Sequence, residues 1–95
     1  MSTDSVPNQQ VRVYVEREPR RTGVIGVGDE EECFTPEGRR IGVWLTTEVR
    51  SGENAYVAAV DIDQLVAFEV SGDGDGHRCF VVPAAALAAV TFAAA

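Results

Sequence analysis

Ninety-five residues with 45% apolar and 24% charged content specify one ordinary globular domain and argue against global disorder. All eight basic residues are arginines, so mechanisms that need a lysine amine, such as Schiff-base enzymes, P-loop NTPases and the usual two-acid-and-lysine nucleases, are excluded. A net charge of −7 disfavours direct binding to nucleic acid or to an anionic membrane, and it favours a basic partner.

Met1–Gln9 is polar and reads as a disordered tail, which leaves 10–95 as a single small β-rich domain. Val11, Val13 and Val15 alternate with Arg12, Tyr14 and Glu16, the period-2 signature of a first strand. Pro19 breaks that ladder, and Thr22–Gly28 resumes as a short glycine-spaced strand. Asp29–Glu32 reads as a solvated acidic loop or strand edge. Thr35-Pro-Glu-Gly38 has the proline and glycine placement of a turn, so a hairpin is expected there.

Arg39–Arg50 carries Ile41, Val43 and Leu45 on one face and Trp44 and Thr46 on the other, a strand covered on both sides. Ser51–Asn54 reads as a turn and Ala55–Val60 as the return strand. Asp61–Gln64 fits either a helical turn or a bulge. Val66, Phe68 and Val70 then alternate up to a Gly/Asp turn, and Phe80 and Val82 repeat the pattern beyond it. Pro83 is suited to a first helical position, so a short closing helix over Ala84–Val90 is expected.

The valine-rich strand Val11–Val15, the segment Thr22–Gly26 and the stretch Phe68–Leu87, about half of the chain, resemble small bacterial proteins with an SH3-like or Tudor-like barrel. The resemblance implies a mainly β fold, a small antiparallel barrel or bent sheet with one short C-terminal helix. It also implies binding of proteins or nucleic acids rather than catalysis. The strand-rich region Glu30–Val60 exceeds what a minimal barrel requires.

Several chemistries fail on spacing. Cys33, His77 and Cys79 are the weak metal candidates, with Glu32 or Asp75 as a fourth ligand, but the Cys-x-x-Cys pairs of zinc sites are absent. Asp73-Gly-Asp75-Gly has the composition of part of a calcium loop, yet the position that needs a bidentate glutamate is Val82. Gly23–Gly28 has the reverse spacing of a dinucleotide fingerprint, with four acids behind it that repel phosphate. The single histidine has no defensible nucleophile partner. The expectation is therefore a non-enzyme with no cofactor.

What remains is an interaction surface. Arg17, Arg20 and Arg21 cluster beside a turn, with Tyr14 and Trp44 as aromatic neighbours, the composition of a protein contact patch. The uncharged C-terminal segment is a candidate homodimer surface, and Ala93–Ala95 also resembles the apolar tails read by bacterial proteases. With two cysteines and no basic-then-apolar start, a cytoplasmic location is expected. The leading expectation is a protein-binding or self-associating module. The alternatives are an acidic, antitoxin-like inhibitor that fills a basic nucleic-acid-binding site on its target, and a zinc-binding protein.

Overall fold

The computed structural model describes residues 9–16, 18–19, 23–50, 52, 55–71 and 76–95. Among them are seven strands: β1 (Gln10–Val15), β2 (Glu31–Thr35), β3 (Gly38–Thr46), β4 (Tyr56–Asp61), β5 (Glu69–Val70), β6 (Cys79–Val82) and β7 (Ala93–Ala94). They form one antiparallel sheet in the order β5-β6-β3-β1-β4-β7, with β2 paired to β3 off that path. The sheet is not closed. The protein is mainly β, as its alternating segments predict.

β1 lies between β3 and β4. Its residues pair from Gln10↔Asp61 to Val15↔Tyr56 with β4, while Tyr14↔Thr46 is its register contact with β3. The Ala55–Val60 segment is thus a strand, but it returns along β1 and β7 rather than along β3. Residues 51, 53 and 54 of the expected turn before it lie outside the described residues, as do 1–8 and 72–75.

One face holds the core: Val13, Val15, Val43, Leu45, Ala58, Val60, Phe80 and Val82, closed by Ile25, Leu65, Ala84, Leu87 and Phe92 from the connections. The opposite face is also apolar. Val70, Cys79, Thr46, Tyr14, Val57 and Ala93 follow one another in register across six strands. Tyr14, Thr46 and Val70 in that row are buried.

The expected closing α-helix is not formed. Ala84–Leu87 is a single 3₁₀ turn, followed by the chain's return to the sheet as β7. Ala84, Leu87 and Val90 recur every three residues, and a 3₁₀ turn stacks i and i+3 on one side, so all three reach the core. The bonds Ala86 N–H to Pro83 O (3.0 Å) and Val90 N–H to Leu87 O (3.0 Å) follow the same spacing. The Glu30 carboxylate accepts from Ala84 N–H at 2.8 Å and so satisfies the turn's first donor.

The same physics replaces the expected strand over Val66–Phe68. Ile62, Leu65 and Phe68 also recur every three residues, and two consecutive 3₁₀ turns, Ile62–Gln64 and Val66–Phe68, direct them at the core. Leu65 is fully buried where the turns join, and Val66 is left 52% exposed. Strand pairing is confined to Glu69 and Val70. Of the expected Thr22–Gly28 strand, Thr22 lies outside the described residues and Gly23–Gly28 makes one bridge, Val24↔Thr91, beside the bond from Phe92 N–H to Gly23 O (2.7 Å).

Candidate functional site

The Thr35–Gly38 turn forms as its sequence predicts. β2 then pairs with the first half of β3, from Thr35↔Gly38 to Glu31↔Gly42. Beyond Gly42, β3 changes neighbours and pairs with β6, from Val43↔Val82 to Thr46↔Cys79. The β2–β3 ribbon therefore leaves the core-covering part of β3 at Gly42 and folds back toward Val70 and Cys79 of β5 and β6. Its tip is tied down where the Glu37 carboxylate accepts from Ser71 N–H (3.2 Å) and from the Ser71 hydroxyl. Those bonds favour the carboxylate and hold Glu37 below its usual pKa.

Two clefts open along this ribbon, and Trp44 walls both. The first, about 280 Å³, lies between the end of β1, the connection before β2 and the β2–β3 ribbon, and is lined by Val15, Pro19, Ile25, Val43, Trp44, Cys33 and the acids Glu16, Asp29 and Glu31. The second, about 400 Å³, lies between the ribbon (Cys33, Phe34, Thr35, Pro36) and Val70, Ser71 and Cys79. Trp44 faces both because side chains of a strand alternate: Val43 and Leu45 enter the core, so Trp44 lies on the opposite face beside Val81.

The first cleft has an apolar floor and an acidic rim. Asp29 is buried at 4% exposure and accepts from Gly26 N–H (2.9 Å), bracing the 3₁₀ turn Val27–Asp29. Glu16 lies 2.8 Å from Arg50 Nε, and that guanidinium also reaches Glu48 at 3.2 Å. Burial, with the Glu31 charge as a lesser contribution, pushes the Cys33 thiol above its usual pKa, which keeps it protonated and a poor nucleophile.

The sequence-predicted site residues are distributed unevenly. Trp44 is half-buried and stands at both clefts. Tyr14 is only 7% exposed, packed within the sheet's second apolar face instead of projecting as a contact residue. Arg17, Arg20 and Arg21 lie outside the described residues; their chain neighbours Glu16 and Pro19 line the first cleft. Cys33 and Cys79 both line the second cleft, whereas His77 is exposed just before β6. Among the described residues no three His, Cys, Asp or Glu side chains are grouped as metal ligands.

In the expected C-terminal contact segment Phe92 is buried, whereas Thr91 and Ala93–Ala95 are exposed. Phe92 is 2% exposed, Ala93 and Ala94 pair with β4, and Ala95 N–H donates to Ala55 O at 2.9 Å. Two apolar residues are prominent instead: Phe34, 79% exposed, and Ile41, expected on a covered face but 61% exposed, which share one face of the ribbon. The alternation Glu32-Cys33-Phe34 opposite Arg39-Arg40-Ile41 carries that signal. Among the described residues no helix is long and apolar enough to cross a membrane. Comparison with protein families, with characterised proteins and with solved structures gave no match.

Proposed function

We propose that this protein is a non-catalytic binding module that docks a protein partner at Trp44. The observation that carries the reading is the position of this single tryptophan as the common wall of two clefts at the base of the β2–β3 ribbon. Large aromatic side chains at pockets dominate protein contacts because they bury much area with few rotatable bonds. The resemblance to SH3-like and Tudor-like barrels, which we retain as a reading of the bent sheet, also supports binding over catalysis. Tyr14 serves as packing beneath this surface, and Glu16 and Pro19, chain neighbours of the expected arginines, line the first cleft.

The test is capture from the native cell by the wild-type protein and by Trp44→Ala, with circular dichroism showing the fold of both. A partner held by the wild type and lost by the variant supports docking at Trp44. Identical capture by both would refute it. Sedimentation of the purified protein separates self-association from a heterologous partner.

One observation favours the acidic-inhibitor reading as well: Glu31 and Glu32 lie exposed on β2. A complex led by those charges weakens steeply with rising salt, whereas one led by Trp44 does not.

A further inference from the structure

Among the described residues β2 is bonded on one side only: it pairs with β3 and with no other strand, and none of its five residues is buried. The other edge strands, β5 and β7, contribute two residues each. A five-residue edge presents a row of backbone donors and acceptors on which another extended chain can pair.

The side chains along that edge state what kind of chain fits. On one face, Glu32 and Phe34 lie in register with Ile41 and Arg39, and both apolar members of that set are exposed. On the other face, Glu31 and Cys33 border the clefts walled by Trp44. The edge therefore reads acid, acid, small, aromatic from its start. Glu32 is held by Arg39 at 2.8 Å, but both side chains are largely exposed, and such a pair is readily exchanged.

A second copy of this chain is a poor occupant. Pairing two β2 edges brings four carboxylates along one ladder between molecules that each carry a net charge of −7. A strand with cations opposite Glu31 and Glu32 and an apolar residue opposite Phe34 gains at each of those positions.

We propose that the open edge of β2 binds a partner polypeptide by antiparallel strand addition, the added segment reading apolar, any, basic, basic so that its cations meet Glu32 and Glu31. This inference rests on the protein-binding reading above and assigns its mode and the chemistry of the partner. Trp44 stands on β3, one strand removed from the added segment, and an extension of that segment past Glu31 approaches the cleft that Glu31 and Trp44 both line.

The probe is the labelled peptide Thr-Val-Thr-Arg-Arg-amide, titrated into the full-length protein at low salt and followed by anisotropy and by backbone amide shifts. Shifts are expected along Glu31–Thr35, with at least tenfold weaker binding for Thr-Val-Thr-Glu-Glu-amide. Two peptides N-methylated at alternate positions, in opposite phases, supply the decisive comparison. Strand addition requires every second peptide N–H, so one phase loses at least tenfold in affinity while the other stays within about twofold. Equal affinity for the two phases, or unchanged affinity in the exposed-site variant E31K/E32K, would overturn the proposal. So would the absence of any shift on β2 at millimolar peptide. In each of those cases partner capture that depends on Trp44 remains a separate result, so failure of the mode is distinguishable from failure of the binding reading.

Discussion

Gly42→Ala tests the geometry that creates the site. Gly42 is the residue at which β3 passes from β2 to β6, and a Cβ built there stands 2.8 Å from Val82 O, 3.0 Å from Val82 C and 3.0 Å from Val81 Cγ1. These distances lie well inside the roughly 3.5–4.0 Å optimum for carbon contacts. Two of the three atoms are backbone in a strand paired on both sides, so relief requires β6 to move. Overpacking of this kind costs about 1–3 kcal/mol. For a domain of this size each kcal/mol lowers Tm by about 4–8 °C, so a central cost of about 2 kcal/mol predicts a fall of roughly 8–16 °C by thermal circular dichroism. Gly26→Ala is the matched control, since nothing lies within 4 Å of its added Cβ and its φ of −132° suits alanine. Equal Tm values for Gly42→Ala and Gly26→Ala would refute the close-approach argument.

The period-three packing of the last connection predicts that Leu87→Ala, which empties a fully buried position, costs about 2–5 kcal/mol, whereas the exposed Ala88→Ser is near neutral in urea unfolding. The Glu69 carboxylate is held below its usual pKa by bonds from Arg78 at 2.8 and 2.6 Å. A depressed folded pKa means stability that is present above the ordinary glutamate value, about 4.3, and lost as pH falls through the folded value. Glu69→Gln should therefore lower the unfolding free energy at pH 6, read by urea denaturation, by an amount within the ~0–1 kcal/mol of an exposed pair, with the gap to wild type closing at acid pH. A gap that widens on acidification would reverse the sign of the argument. Finally, Glu31→Gln should speed alkylation of Cys33 by iodoacetamide near neutral pH, because it removes a charge that raises the thiol pKa, though burial, the larger cause, remains.

The strands are legible wherever side chains alternate between a filled face and a less filled one. Val11–Val15, the ribbon around Thr35–Gly38 and Phe80–Val82 all form as their period predicts. Two segments depart from their expected form for one shared reason. Ile62/Leu65/Phe68 and Ala84/Leu87/Val90 carry a period of three, which lies between the strand period of two and the helical 3.6. Val66/Phe68/Val70 offers a competing period of two, and alanine propensity suggests an α-helix over Ala84–Val90. Burial of Leu65 and Leu87 decides both in favour of 3₁₀ turns. The partner of Ala55–Val60 is not legible because alternation fixes which face a residue takes and carries no label for the neighbouring strand.

The candidate site follows from where the core runs out along β3. Ile41, Val43 and Leu45 have the same parity, and the sequence assigns them to one buried face. Leu45 and Val43 are covered because they pair with Phe80 and Val82 of β6, and β6 pairing ends at Val43. Two residues earlier Ile41 pairs with Glu32, away from the core, and is exposed. Trp44, of opposite parity, stands one residue inside that boundary, which is why open space adjoins it on both sides. A nine-residue strand that pairs with β2 along its first half and with β6 and β1 along its second thus generates a half-covered tryptophan, an exposed Phe34–Ile41 face and an open acidic edge on β2 from a single cause. Moving the changeover at Gly42 disturbs all three together, and so couples the stability test at that residue to peptide binding on β2.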